Sequence, residues 1–314
     1  MIKSNCHSFM DNSISVIIPS RSPQYLQRTV TDLLDKSSGS VEVIVVLDGI
    51  WPEPMLKDDK RVRIIHQGEV HNNRGMRAAI NAGMALARGE YVCKVDEHIM
   101  MAEGWDEALK EDCQDKDVVV PRRYRLDPEK WENISDGRNP IDYMYLTNPF
   151  MRPGDKTNGL RGKEWKEKFA ERKDVLYDDL MTCQGSFYFM KKAWWDKMFP
   201  NGMDEVGYGK FTGEAQEIGN TSWLMGGRMM VNKKTWYSHL WKGKGGKGYG
   251  FSRAQYKDHQ EHSERGRKFA VNYWLTTKDY ERDFTCLMEH FWPVPTWPDD
   301  WKEFIIKELK TYPK

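Results

Sequence analysis

The segment Tyr91-Val92-Cys93-Lys94-Val95 runs directly into Asp96-Glu97-His98. Its short apolar run suits a buried strand. Charges at the end of such a strand are costly unless they are exposed, paired or bound to a metal. Residue type and spacing leave two readings, an exposed turn or a place where something is held. Further along, Glu214 and Glu217 lie three residues apart, which on a helix puts both carboxyls on one face. Arg74 and Arg77 stand at the start of a helix-like stretch, where positive charge and free N–H groups favour phosphate. From Arg228 to Lys257 the chain carries Arg228, Lys233, Lys234, Lys242, Lys244, Lys247, Arg253 and Lys257 and no acid. Such a segment is either solvated or in contact with phosphate, including the backbone of a nucleic acid.

Composition narrows the class. Of 314 residues, 39% are hydrophobic and 30% charged, as in a soluble globular protein rather than a long disordered chain. The formal net charge of +1 predicts no global attraction to nucleic acid or acidic membranes, so any attraction must be local. Cys6, Cys93, Cys113, Cys183 and Cys286 are scattered, odd in number and without C-x-x-C spacing. That fits reduced thiols in a cytosolic protein, and not a disulfide framework or a zinc site. The opening MIKSNCHSFMDNS lacks the apolar stretch of a signal peptide. The longest apolar runs, such as Val41 to Leu47, are too short to span a membrane.

These residues need elements to position them. Ile14–Pro19, Val41–Gly49, Val62–Gln67 and Glu90–His98 read as strands. Tyr25–Lys36 and Gly75–Gly89 read as helices, the first through Leu26, Val30, Leu33 and Leu34, the second through its Ala, Met and Leu content between two glycines. Continuous apolar strands alternating with helices predict a mostly parallel sheet with helices on both faces. Ligands of such sheets bind at the carboxyl ends of the strands, where Pro19, Asp48 and Asp96 fall. Beyond residue 118 the pattern weakens. Val118–Pro128 begins as a strand and is expected to become a basic loop, and 129–180 reads as long loops and short helices. Residues 185–198 read as strand then helix, 214–227 as a helix and 228–241 as a strand. Residues 242–253 read as a Gly-rich mobile loop, 253–275 as a helix, and the C-terminal tail as a Pro/Trp segment with a last helix.

The stretches ISVIIPSRSPQYLQRTVTDLL, VEVIVVLDG and NRGMRAAINAGMALARGEYVCKVDEH, in that order, resemble the opening of family 2-like glycosyltransferases with the GT-A fold. The later GEAQEIGNTSWLMGGRMMVNKKTWYSHLW looks like one branch, the polypeptide N-acetylgalactosaminyltransferases, whose metal motif is Asp-x-His. The resemblance covers about residues 14 to 250. It implies a GT-A domain over 1–250, with a donor-binding part about 14–100 and an acceptor-side part about 118–250. Residues 251–314 would form a helical C-terminal extension.

The resemblance also implies roles. Asp96, His98 and His239 would hold Mn²⁺ or Mg²⁺, with Asp96 and His98 on one side of a strand by their two-residue spacing. Asp48 would read a uracil and Pro19 would border the donor. Arg74 and Arg77 would face its phosphates and Gly185 its sugar. Lys242, Lys244 and Tyr249 would belong to a loop that closes over the donor. Glu214 and Glu217 are the candidates for catalysis. Many inverting members have an Asp directly after the first of these acids, and here that place is Ala215. The expectation is therefore a metal-dependent hexosyl- or N-acetylhexosaminyltransferase that uses a UDP-sugar with retention. For the acceptor, a hydroxymethylated base in phage DNA is weighed beside a protein or a glycan. A sugar nucleotidyltransferase is less consistent, because PSRSPQY has no glycine for a phosphate loop. A non-catalytic nucleotide-sugar-binding protein is the reading of a different class.

Overall fold

The computed structural model describes residues 10–152, 154–155, 157–240 and 253–312. Its first half follows the predicted alternation: β1 (Met10–Ser20), α1 (Leu26–Asp35), β2 (Ser40–Asp48), β3 (Val62–Gln67), α2 (Met76–Leu86) and β4 (Gly89–Val95). Leu26, Val30, Leu33 and Leu34 of α1 are all buried, the spacing of one helical face. In β1 the side chains alternate. Ile14, Val16 and Ile18 enter one core cluster with α1 and Trp105, while Ile17 enters the other with Ile80 and Met84 of α2. Gly83 is what lets α2 lie close to the sheet, because a Cβ there would collide with Ile17.

After β4 come β5 (Ile99–Met101), α3 (Trp105–Asp112), β6 (Asp117–Asp127), β7 (Glu132–Asn133), β8 (Met144–Leu146), β9 (Gly162–Glu164), α4 (Lys166–Arg172) and β10 (Tyr177–Asp179). Then follow β11 (Phe187–Lys191), α5 (Lys192–Met198), α6 (Glu214–Leu224), β12 (Arg228–His239), α7 (Arg253–Thr276), α8 (Phe284–Phe291) and α9 (Trp301–Leu309). The main sheet has the order β10-β12-β6-β11-β4-β1-β2-β3. It is parallel across β4-β1-β2-β3 and between β6 and β12, and antiparallel where β11, β10 and β5 join. The sheet is thus mostly parallel and helix-flanked, the GT-A-like architecture.

Two expectations are corrected. Residues 118–128 do not dissolve into a basic loop. β6 continues to Asp127 because Arg122 to Arg125 stay in register with Trp236 to His239 of β12, beyond a register shift. Arg122 is held by Asp142 at 2.7 Å, so a charged stretch remains in the sheet. Residues 129–180 hold short strands as well as a helix, pairings too brief to mark a periodicity. Helix α8 adds to the expected elements; its cap is Asp283, whose side chain accepts from Thr285 N at 3.0 Å. Val271, Trp274, Leu287, Met288 and Trp301 from the C-terminal helices enter the same core cluster as Tyr188, Met190 and Ile218. Among the described residues no helix is long and apolar enough to cross a membrane.

Candidate active site

Strand β4 ends at Val95, one residue before the acidic motif. Asp96 and His98 therefore do not sit on one side of a strand. A bend between β4 and β5 turns them together instead. The third member arrives through the sheet. β5 pairs antiparallel with the end of β12, placing His239 opposite Ile99, and Leu240 N donates to His98 O at 3.1 Å. The ligand atoms of Asp96, His98 and His239 all lie within 4.8 Å of one another. His239 Nε2 is 3.0 Å from Asp96 Oδ2, and His98 Nε2 is 3.9 Å from the same oxygen. His239 Nδ1 is buried without a hydrogen-bond partner. Burial holds the His239 pKa below the ordinary histidine value against the pull of Asp96, which favours the neutral imidazole a metal needs. One carboxylate and two imidazoles, with a buried nitrogen left over, fit a divalent ion such as Mn²⁺.

The middle residue of the motif turns away. Glu97 is buried and accepts from Ser22 N at 2.8 Å, Arg21 N at 3.2 Å and the Ser20 hydroxyl. It pins the chain that leaves β1 beside Pro19.

Beneath Asp96 lies a residue that sequence reasoning missed. Lys94 is 0% exposed. Its Nζ donates to Asp96 Oδ1 at 2.6 Å, Glu214 Oε1 at 2.9 Å and the Gly185 carbonyl. Burial alone would discharge it, but Asp96 and Glu214 outweigh burial and raise its pKa. In turn, burial acts to raise the Asp96 pKa, and Lys94 with the histidines overcomes it and holds the carboxyl well below its usual range. A signal for Lys94 does exist in the chain. A lysine on the same face as Val92 in an otherwise apolar strand must find an acid. Glu214, at the start of α6, supplies one, while its Oε2 stays buried and unpartnered. Burial pushes the Glu214 pKa up. Gly185 is required here, since a Cβ would collide with the Glu214 carboxylate. Lys94, Asp96, Gly185, Glu214 and His239 all line one cavity of about 800 Å³.

Other expected site residues lie elsewhere. Arg77 does not face phosphates. It is 0% exposed, ion-paired with Glu217, bonded to Thr212 O and to Asp204 O at 3.1 Å, and stacked over Tyr208 at 4.2 Å. Glu217 is accordingly no base in the cavity. It is tied to Arg77, receives Asp204 N at 3.3 Å and borders a separate depression with Met203 and Tyr280. Asp48 has both oxygens engaged by its own neighbourhood, accepting from Arg74 N and Gly75 N at 2.8 Å each and from Asn73 Nδ2 at 3.3 Å. These bonds fix the turn into α2, with Asp48 buried at its centre. The Arg74 side chain is exposed. Lys242, Lys244 and Tyr249 lie outside the described residues. Within β12 the basic residues are engaged in the fold. Arg228 pairs with Asp179 at 2.6 Å, Lys234 with Asp112 at 2.9 Å, and buried Lys233 donates to Tyr143 Oη at 2.9 Å.

Residues 15–199 match the family described as Glycosyl transferase family 2. The chain is 32% identical over 147 residues to the glycosyltransferase GlyG of Streptococcus pneumoniae serotype 4, covering 44% of this chain and 45% of that one. It is 28% identical over 187 residues to EpsJ of Bacillus subtilis strain 168, an uncharacterized glycosyltransferase, covering 53% and 51%. The chain thus spans about half the length of the curated relatives it matches. Among solved structures, GalNAc-T7 with UDP, GalNAc and Mn²⁺ shares the fold at a TM-score of 0.65 and 15% identity, over 96% of this chain and 58% of that one.

Proposed function

The chain belongs to glycosyl transferase family 2, and we propose that it transfers a sugar from a UDP-sugar to an acceptor hydroxyl, with a divalent cation held by Asp96, His98 and His239. The observation that carries this reading is the convergence of those three ligands within 4.8 Å, beside the carboxyl end of β4 where such sheets bind ligands. GalNAc-T7, whose fold the chain shares, was solved with UDP, GalNAc and Mn²⁺; that supports the donor class and the ion.

When bound, Mn²⁺ or Mg²⁺ would offset the charge of the donor diphosphate and of the leaving nucleoside diphosphate. The protein's own residues do the rest. Lys94 takes Asp96 Oδ1 and so turns Oδ2 toward His239. Gly185 admits Glu214 close to the site, and Glu214 Oε2 offers a buried acceptor for a sugar hydroxyl. Ala215 lines the cavity and cannot take a proton, so in this proposal the leaving phosphate accepts the proton of the attacking hydroxyl and the anomeric configuration is retained. Basic side chains in the cavity lining, rather than those of β12, support a phosphate-bearing acceptor such as a hydroxymethylated base in DNA.

A hydrolysis screen over nucleotide-sugars, with and without Mn²⁺, tests the donor and the metal together. Full turnover in EDTA would remove the metal reading. The anomeric coupling of the product, read by NMR, tests retention; a β-linkage from an α-linked donor would overturn it.

A further inference from the structure

The cavity that holds the triad has a second chemical character. Its lining also includes Arg161, Lys163 and Lys166 around β9 and Arg267 of α7. Arg267 is firmly placed. Its Nη1 donates to Ser263 Oγ at 2.6 Å and its Nε to the Met151 sulfur at 3.4 Å. A Cβ at Gly159, whose φ is +92°, would lie 3.2 Å from Arg267 Cδ, so Gly159 and Met151 both lie against the side chain. Neither hydrogen-bond partner is an anion, and among the described residues no carboxylate forms a salt bridge with Arg267. Burial and the like charge of Arg161 push its guanidinium down to about 10 against the opposing pull of Glu264, Asp155 and Tyr312. Two half-buried guanidiniums in the same lining offer an anion a doubly charged, forked seat. Of the acids in the lining, Asp96 and Glu214 are both joined to Lys94, which leaves Glu164 of β9 as one acid beside Arg161, Lys163, Lys166 and Arg267.

We propose that Arg267 and Arg161, with Lys163 beside them, seat a phosphate group carried by the acceptor, so that the chain selects hydroxyls that lie near a phosphate ester. The donor is not the source of this anion, because its diphosphate belongs at the triad, to which Arg267 makes no bond. Guanidinium binds phosphate through paired, charge-assisted hydrogen bonds, and a fixed Arg267 is already oriented for it. The proposal rests on the transfer reading above for the word acceptor, but the phosphate site stands on binding alone.

Isothermal titration of the full chain with Mn²⁺ tests it. The probes are 5-hydroxymethyl-2′-deoxycytidine against its 5′-monophosphate, and glycerol against glycerol 3-phosphate. Each phosphorylated member should bind about tenfold tighter than its partner. Arg267→Gln should erase that ratio, Arg267→Lys should keep part of it, and UDP affinity should stay within about twofold in both. A preference in the nucleotide pair alone places the phosphate on a nucleic acid; an equal preference in both pairs places it on any phosphate ester. No phosphate preference in either pair overturns the site. So does a preference that survives Arg267→Gln, or a loss of UDP affinity as large as the loss of the ratio. A phosphate preference without sugar transfer would count against the transfer reading and leave the site intact.

Discussion

Two acids one helical turn apart on α6 each meet a buried cation, and the two pairs are built for different ends. Glu217 pairs with Arg77, whose remaining N–H groups reach the carbonyls of Asp204 and Thr212 and whose plane lies over Tyr208. Glu214 pairs with Lys94, but there the ammonium is shared with Asp96, and Glu214 Oε2 is left unpartnered beside the cavity. A fully satisfied buried pair stabilises one geometry of the chain. A pair with an open oxygen and a ligand carboxylate in its network holds a site ready for something else. Buried networks are favourable only when complete, so the incomplete one is where a ligand is expected.

The largest expected effect falls on the incomplete network. Asp96→Asn removes a ligand and half of the counter-charge of Lys94. Transfer should fall by at least about a thousandfold, and Mn²⁺ binding followed by electron paramagnetic resonance should weaken in step. A variant that keeps Mn²⁺ affinity would detach Asp96 from the ion.

The complete pair should respond in stability instead. Arg77→Met leaves Glu217 buried without its cation and should cost about 3–5 kcal/mol in urea denaturation. Adding Glu217→Leu should recover much of that, and the double variant should still bind UDP. If the double variant is as unstable as the single one, the carbonyl bonds and not the ion pair hold this region.

A smaller effect on Mn²⁺ binding is expected from Lys94→Met, which frees Asp96 Oδ1 while leaving the three ligands in place. Mn²⁺ affinity should drop about tenfold, with a loss of urea stability comparable to that in Arg77→Met, because Asp96 and Glu214 both lose their cation. An unchanged affinity would mean that Lys94 serves the fold alone. The smallest effect belongs to a surface pair on β12. Lys234→Ala breaks contacts to Asp112 and Glu111 and should leave both the melting temperature and the salt dependence of DNA binding unmoved. A flatter salt dependence would return β12 to the acceptor surface.

Part of the fold and of the site is legible in the chain. Leu26, Val30, Leu33 and Leu34 announce α1, and the apolar runs of β1, β2 and β3 announce the parallel part of the sheet. Asp96, His98 and His239 stand out through the family resemblance, which supplies the Asp-x-His motif and the later histidine. Arg77 and Glu217 do not, because local spacing says which residues share a face and not what lies opposite that face.

What the sequence determined by itself is short-range. Periods of 2 and 3.6, glycine boundaries and strand ends are set by the backbone within a few residues, so the alternation of elements and the place of the acidic motif can be read directly. What only the tertiary structure decided is which charges meet. Lys94 reaches Glu214 across 120 residues, and His239 reaches Asp96 across 143, because β5 pairs with β12 and α6, packed against β12 and β6, brings its first residue to the Lys94 side of the sheet. A buried charge is stable only beside its partner, and packing over the whole sheet chooses that partner. Local pattern therefore places Asp96, His98 and His239 in the chain, and the fold alone brings their side chains within 4.8 Å of one another.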